Sequence, residues 1–254
     1  MKVFFVGAGP GDPELLTLKA ARIIGECRVC LYAGSLVPEA VVGCAPDDAL
    51  VMDTAPMDLA QTHAEILKAR DAGLDVARVH SGDPSLYGAI AEQIRLLKRD
   101  GIEYQIIPGV PAYTAAAAAL GQELTIPEIA QSIVLTRMSM KSTSMPAGET
   151  LENFAISGTT LAIHLAIRNL REIERVLIPH YGEDCPVVVA YRASWPDELI
   201  IRGTLSDIRL KVRAAKITRT ALILVGPALA DHKDFADSAL YDPDFEHVLR
   251  TKKA

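Results

Sequence analysis

The sequence lacks several features that would place it in a familiar class of protein. Within its 254 residues no apolar run reaches the ~18 residues that a membrane-spanning helix needs, so we expect no membrane partner. Met1-Lys2 leads directly into an apolar segment without a signal-peptide pattern, which favours a cytoplasmic location. An excess of positive charge is also missing: the formal net charge is −6, whereas binding to a phosphate backbone normally needs a basic face. We therefore expect no nucleic-acid partner.

Cysteine is scarce, and its four positions do not match a metal or disulfide framework. Cys27-x-x-Cys30 has the spacing of a thiol pair, but the residues after it read as a β-strand. Strand alternation would turn the two side chains to opposite faces. Because no second pair or nearby histidine completes a zinc site, we predict structural cysteines and no bound metal.

Phosphate-binding and hydrolase motifs are missing as well. The sequence contains neither a Walker loop nor the Gly-x-Ser-x-Gly turn of many hydrolases. Gly7, Gly9 and Gly11 begin like a dinucleotide fingerprint. Asp12, however, stands at the last glycine position, where its charge would repel a pyrophosphate. A nicotinamide-dependent oxidoreductase is therefore kept only as a competing class.

The sequence does contain a repeated unit of strand, glycine turn and helix. Val76–His80 reads as a short buried strand, Ser81-Gly82 as a turn, and Asp83-Pro84 as the beginning of a helix. A similar unit begins the chain, with its strand at 3–6 and its turn at 7–13. Glycine turns at the carboxyl ends of strands are where open α/β sheets bind ligands, although an ordinary strand-to-helix turn has the same pattern.

The order of elements predicts an α/β protein of two domains. Strands and helices alternate in residues 1–110, which indicates a mostly parallel sheet with helices on both faces. Residues 111–230 read as a mixed α+β domain, and residues 231–254 as a charged surface tail with a short helix near 245–250. Residues 138–149 read as a loop and a candidate lid. The predicted strands are 2–6, 28–33, 49–53, 76–80, 104–107, 132–136, 159–164, 186–193, 198–203 and 219–225, and the predicted helices are 13–25, 60–72, 84–99, 168–177 and 205–214.

Six short motifs follow one another in order between residues 2 and 230. They are Val6–Thr17, Ser81–Pro84, Ile107–Val110, Gly158–Leu165, Tyr191–Glu198 and Arg202–Leu205. In sequence and in order they resemble the motifs of the tetrapyrrole methylases, a family that uses S-adenosylmethionine. The resemblance implies the two-domain tetrapyrrole methylase fold with the cofactor in a cleft between the domains, a small-molecule tetrapyrrole substrate and a homodimer.

The resemblance also implies which residues contact the cofactor, largely through backbone groups and small or apolar side chains. Carried over by motif, they are Pro10, Ser81, Gly82, Asp83, Leu86, Pro111, Ala112, Leu165, Ala193 and Ala221. Leu165 and Pro111 depart from the methionine and threonine that relatives have there. The alternative at each position is a role in packing alone.

One segment indicates a particular branch of the family. Members that methylate uroporphyrinogen have an acid after the tyrosine of the second strand, whereas Ala33 follows Tyr32 here. The sequences of Tyr32–Val37 and, later, of Arg192–Glu198 resemble those of the branch that methylates C11 of precorrin-4 in vitamin B12 synthesis. The resemblance leaves open whether the substrate carries cobalt, and methylation of another ring carbon in the same pathway is the alternative.

Methyl transfer of this kind needs little side-chain chemistry. A sulfonium methyl is already electrophilic and a reduced tetrapyrrole carbon is electron-rich, so alignment and water exclusion should dominate. Asp83 and Tyr87 are candidate bases by location alone, and Asp83 fits a helix cap and cofactor contact better. Arg137, Arg168 and Arg192 are candidate partners for the substrate carboxylates, or else surface ion-pair partners.

Overall fold

The computed structural model describes most of the chain. The described residues are 1–138, 143–232, 235–241, 245, 246, 248 and 250. Two predicted features fall partly outside them, the candidate lid at 138–149 and the short helix near 245–250.

The chain divides into two compact units, and a late segment belongs to the first of them. The first unit contains Met1–Ala119 and Arg192–Leu199, and the second contains Leu120–Tyr191 and Ile200–Ala254. The sequence prediction places the domain boundary earlier, at residue 110. The sequence gives no sign that the late segment belongs to the first unit, because it lies between two strands of the second.

The first unit is built on a parallel sheet, as predicted. Its strands are β1 Lys2–Gly7, β2 Val29–Tyr32, β3 Leu50–Asp53, β4 Val76–His80 and β5 Glu103–Ile107. In the described part of the chain these five strands lie in the order β3-β2-β4-β1-β5, and each neighbouring pair is parallel. Because Gly7 pairs with His80, β1 and β4 end at the same edge of the sheet.

Helices cover both faces of this sheet, which confirms the predicted layers. They are α1 Leu18–Glu26, α2 Glu39–Val42, α3 Leu59–Asp71 and α4 Ala91–Arg99, and a further helix, α5 Ala112–Leu120, follows β5. On one face, Ile24 of α1 and Val41 of α2 are buried in the apolar cluster. On the other, Ile66 of α3 and Leu97 of α4 are buried together with Phe5 of β1. Each such side chain stabilises the unit by about 1.5–3 kcal/mol relative to an exposed one.

The helix predicted at 84–99 begins seven residues late, at Ala91. Tyr87 and Ala89 have φ values of 57° and 50°, in the left-handed region that an α-helix of L-residues does not use. The prediction that Asp83 caps a helix is therefore wrong, and its carboxylate instead accepts hydrogen bonds within the turn that follows.

The helix predicted at 13–25 is divided into two pieces. A short 3-10 helix covers Pro13–Leu15, and α1 begins only at Leu18. The Thr17 hydroxyl accepts a hydrogen bond from the Ala20 amide and so caps α1.

Cys27 and Cys30 do not alternate across a strand as predicted. Cys27 ends α1 and Cys30 lies in β2, and both are buried in the same apolar cluster. Burial raises the pKa of each thiol to about 12, so both are protonated packing residues at neutral pH. Among the described residues, no group of three or more His, Cys, Asp or Glu side chains is arranged to hold a metal ion.

The second unit contains a mixed sheet, which also confirms the predicted class. Its strands are β6 Ile133–Arg137, β7 Thr160–His164, β8 Pro186–Tyr191, β9 Leu199–Thr204 and β10 Ala221–Val225. Over the described residues the strand order is β6-β7-β10-β8-β9. β6 and β7 are parallel, whereas β10 is antiparallel to both β7 and β8.

Helices pack on the apolar face of this second sheet. They are α6 Leu151–Ala155, α7 Leu170–Tyr181 and α8 Ile208–Ala214. Leu177 of α7 and Ile208 of α8 are fully buried with Ile163 and Val189 of the strands. No helix in the described ranges combines the length and apolar character that crossing a membrane requires.

Candidate functional site

Three glycines meet at the carboxyl edge of the first sheet, and we name them the glycine edge: Gly7, Gly82 and Gly109. They stand at or just after the ends of β1, β4 and β5. A Cβ on Gly7 would lie 2.5 Å from the Gly109 nitrogen and 2.8 Å from the Gly82 oxygen. Because these neighbours are backbone atoms that cannot move aside, the three turns pack closely against one another and leave no room for a side chain at position 7.

The loops that follow β1 and β4 are joined by backbone hydrogen bonds. The Gly82 amide donates to the Gly9 carbonyl at 2.7 Å, and the Gly9 amide donates to the Gly82 carbonyl at 3.2 Å. Both glycines have positive φ values, 70° for Gly9 and 63° for Gly82, which L-residues rarely adopt. The two glycine turns predicted from the sequence therefore form one continuous surface.

Asp83 connects this surface to the turn after β5. One carboxylate oxygen accepts a hydrogen bond from the Gly109 amide at 3.0 Å, and the other accepts from the Ser85 amide at 2.8 Å. Partial burial raises the pKa of Asp83, but the hydrogen bonds from Ser85 and Gly109 outweigh it and the net shift is downward. Asp83 is therefore an ionised residue with both oxygens engaged, which suits positioning better than proton abstraction.

Residues 84–90 form an irregular loop beside the glycine edge. Leu86 is half-buried, and Tyr87 is 43% exposed in its left-handed conformation. The loop is anchored at Ala89, whose carbonyl accepts a hydrogen bond from Gln93 Nε2 at 2.9 Å. An exposed aromatic side chain on a strained backbone is typical of a binding site, and the role of Tyr87 stays a prediction.

Pro111 and Ala112 lie beside Gly82. A Cβ on Gly82 would lie 3.7 Å from the Pro111 Cα and 3.9 Å from the Ala112 nitrogen, so the three residues are neighbours. Pro111 and Ala112 are half-buried, as is Ser81. The structure thus brings together the predicted residues that follow β4 and β5.

The predicted residues Pro10 and Ala193 also belong to the first unit, and both are buried. The Pro10 carbonyl accepts a hydrogen bond from the indole nitrogen of Trp195 at 2.9 Å. Ala193 lies two residues before that tryptophan, in the late segment. The sequence did not predict this contact, because its two ends are 185 positions apart.

Two predicted cofactor residues, Leu165 and Ala221, belong to the second unit. Leu165 follows β7 with a φ of 56° and is 68% exposed, which is unusual for a large apolar side chain in a strained conformation. Ala221 begins β10 and pairs with Tyr191 of β8. Their joint action with the first unit, in the predicted cleft, stays a prediction.

The three candidate substrate arginines all have protein partners. Arg137 donates to the Thr143 carbonyl at 2.9 Å, and Arg168 donates to the Thr218 carbonyl at 2.9 Å. Arg192 donates to Asp197 at 2.5 Å. The Arg168 bond goes to a neutral carbonyl, whereas Arg192 is paired with a carboxylate, so Arg168 suits an anionic ligand better than Arg192 does.

Sequence reasoning missed a buried polar cluster beneath the loop at 84–90. Arg78 and His80 of β4 and Gln93 of α4 are each only 6–7% exposed. Arg78 donates to Gln93 Oε1 at 3.1 Å and to the Leu31 carbonyl at 3.2 Å. Burial lowers the pKa of Arg78 to about 10, and burial together with the Arg78 charge lowers the pKa of His80 to about 3. The sequence does contain a sign of this cluster, because Arg78 and His80 are polar residues at alternate positions of an otherwise apolar strand.

The chain matches one protein-family model and many curated sequences. The model for Tetrapyrrole (Corrin/Porphyrin) Methylases matches residues 2–209. A curated precorrin-4 C(11)-methyltransferase from Sinorhizobium sp is 53% identical over 250 residues, which cover 98% of each chain. The similarity therefore extends over nearly the whole sequence.

Solved structures give the same result for the fold. The X-ray structure of cobalt precorrin-4 methyltransferase, CbiF, has a TM-score of 0.87 and 41% identity, covering 90% of this chain and 96% of that one. The Thermus thermophilus uroporphyrin-III C-methyl transferase, solved with bound S-adenosylhomocysteine, has a TM-score of 0.74 and 28% identity, covering 90% and 99%. These matches confirm the fold that the six motifs predicted.

Proposed function

Because the chain belongs to the tetrapyrrole (corrin/porphyrin) methylase family, we propose that it is an S-adenosylmethionine-dependent methyltransferase acting on C11 of precorrin-4 in cobalamin biosynthesis. The observation that carries the proposal is the 53% identity to a precorrin-4 C(11)-methyltransferase over 98% of both chains. The alternative within the pathway is the cobalt-bearing substrate, since the enzyme with a TM-score of 0.87 is named for it. A cytoplasmic location and a homodimer, both expected from the sequence, stay part of this proposal.

The surroundings of the glycine edge suit S-adenosylmethionine because Ser81, Pro111 and Ala112 beside it are half-buried and carry only small side chains. The residues proposed to hold the cofactor are Pro10, Ser81, Gly82, Asp83, Leu86, Pro111, Ala112 and Ala193 on the first unit, with Leu165 and Ala221 on the second. When bound, the cofactor supplies a methyl group on a positively charged sulfur. The ionised Asp83 favours a cationic ligand nearby and keeps the Gly109 turn in place.

The side chains of the protein need to do little more than bind and orient. Asp83 has both oxygens engaged by Ser85 and Gly109, so it positions the edge rather than removing a proton. Tyr87 is the more exposed of the two candidate bases, and we place its side chain against the tetrapyrrole. Alignment of the reactants is then the main source of catalysis, and a base adds a modest factor.

The substrate presents several carboxylates, for which arginine forks are well suited. We propose Arg168 as a partner for these groups, because it donates to a backbone carbonyl that does not neutralise its charge, and Arg137 stays a candidate from the sequence prediction. Arg192 was predicted for the same role and stays a candidate, although its guanidinium already binds Asp197. Cobalt, where present, belongs to the substrate in this proposal.

Methyl-labelled S-adenosylmethionine, incubated with the protein and precorrin-4, tests the proposal directly. We expect carbon NMR of the product to show the label at C11, and a parallel reaction with cobalt-precorrin-4 determines which substrate is preferred. A label at another carbon would reject the regiochemistry and leave the family assignment intact. Binding of S-adenosylhomocysteine without methyl transfer to either substrate would indicate a binding protein, and binding of NAD(H) instead would indicate the oxidoreductase class.

A further inference from the structure

Residues 192–198, which we name the Trp195 loop, form a compact turn with its own internal bonds. The Trp195 amide donates to the Arg192 carbonyl at 2.9 Å, and the Glu198 amide donates to the Trp195 carbonyl at 3.0 Å. The Glu198 carboxylate accepts from the Ser194 amide at 2.6 Å. Arg192 binds Asp197 and lies over the indole, with its guanidinium carbon 4.8 Å from the ring centre. The indole is therefore covered on one face by Arg192.

The backbone of this loop is strained in a way that only such bonds maintain. Arg192 and Ser194 have φ values of 46° and 68°, in the left-handed region that non-glycine residues seldom adopt. Strained conformations persist where the surrounding structure over-determines them, and they concentrate at functional sites. The consequence here is a fixed direction for the Ser194 hydroxyl and the Trp195 indole.

Both of these groups bind the segment after β1, residues 8–12, which we name the Pro10 loop. The indole nitrogen donates to the Pro10 carbonyl at 2.9 Å, and the Ser194 hydroxyl accepts from the Asp12 amide at 3.0 Å. Between these two bonds Gly11 lies against the indole, so closely that a Cβ on it would overlap the ring. The Pro10 loop is thus fixed on one side by Trp195 and on the other by the Gly9–Gly82 pair.

We infer that Trp195 is a positioning residue for cofactor binding, which acts by holding the Pro10 loop against the glycine edge. The inference rests on the proposed function for the identity of the ligand, S-adenosylmethionine. Pro10 itself has no amide hydrogen to hold it, and its carbonyl is the group that the indole binds. Without that bond, the loop keeps its connections through Ala8 and Gly9 at one end and through Asp12 at the other, but the Pro10 carbonyl between them loses its partner.

Trp195→Phe is the sharpest test because it retains an aromatic ring and removes the indole donor. Ser194→Ala removes the other bond and serves as a second variant. Tyr104→Phe is the matched control, since Tyr104 is an aromatic residue of the same unit that packs edge-on against Phe5, with ring centres 6.3 Å apart. The measurements are hydrogen exchange of the peptide covering residues 7–16 without ligand, and KM and kcat for S-adenosylmethionine.

We expect faster exchange in that peptide for Trp195→Phe and Ser194→Ala, and wild-type exchange for Tyr104→Phe. The KM for S-adenosylmethionine should rise about three- to tenfold in Trp195→Phe, the effect of one lost hydrogen bond, while kcat falls by less. Unchanged exchange in both variants would overturn the inference. Faster exchange with an unchanged KM would overturn it too, because the contact would then serve stability alone.

The test separates this inference from the proposed function. If the wild-type protein binds no S-adenosylhomocysteine, the proposed function fails, and the exchange measurement still decides whether Trp195 orders the Pro10 loop. If the wild type binds S-adenosylhomocysteine and Trp195→Phe binds it equally well, the proposed function stands and the positioning role is wrong.

Discussion

At the scale of single residues, Gly82 has a backbone requirement that can be separated from its place in the site. Its φ is 63°, and its Cβ position lies beside Pro111 and Ala112. Gly73, after α3, has a φ of 69°, and among the described residues nothing lies within 4 Å of its Cβ position. The two glycines thus share a conformation and differ in their surroundings.

The Gly82→Ala and Gly73→Ala variants should therefore lose equal amounts of stability but differ in their affinity for S-adenosylhomocysteine. Each should lower the free energy of unfolding by about 1–2 kcal/mol, because alanine resists the left-handed conformation. Only Gly82→Ala should lower the affinity for S-adenosylhomocysteine, by about tenfold or more, and tenfold corresponds to about 1.4 kcal/mol. Chemical denaturation and calorimetry measure the two quantities, and equal affinity in the two variants would remove Gly82 from the site.

The limits of sequence prediction are also visible at this scale. The glycine turns could be predicted because their motif is local, with a strand, a glycine and the residue pair Asp-Pro in short succession. The partners of Asp83 and Pro10 could not, because the Gly109 amide is 26 positions from Asp83 and the indole is 185 positions from Pro10. Hydrogen bonds between residues so far apart depend on the topology of the sheet, which no local pattern contains.

At the scale of elements, strands are predicted more closely than helix ends. The strand predicted at 76–80 is observed as Val76–His80, because a short segment rich in β-branched residues and bounded by turn residues is typical of a strand. The helix predicted to follow it fails at its start, because Asp-Pro begins turns as well as helices. The left-handed Ala89 then delays α4 until Ala91.

Because the loop before α4 is strained at Ala89, we expect glycine at this position to stabilise the protein. Ala89→Gly relieves the left-handed strain and makes the unfolded chain more flexible, so the free energy of unfolding should rise by about 0.5 kcal/mol. Ala118→Gly is the matched control, since Ala118 is exposed within α5, where glycine should lower the same quantity by about 1 kcal/mol. Urea denaturation distinguishes them, and an equal loss in both variants would contradict the assigned backbone.

At the scale of the whole molecule, the expected assembly is a homodimer, which follows from the family resemblance. Sedimentation equilibrium at micromolar concentration should give twice the 27.3 kDa mass of one chain. A closed two-fold dimer should also give a single species rather than a series of larger ones. A mass of one chain at that concentration would contradict the prediction and leave the methyltransferase proposal unaffected.

The late position of the Trp195 loop has a consequence for how the protein is made on the ribosome. The first sheet is complete once residue 107 has emerged, yet the partner of the Pro10 loop is synthesised only at residue 195. At about 5–20 residues per second, the nascent chain spends several seconds with a finished sheet and a Pro10 loop that still lacks its Trp195 partner. If Trp195 positions the cofactor as proposed, we expect full cofactor affinity only after residue 195 has emerged, when more than half of the second unit has been translated.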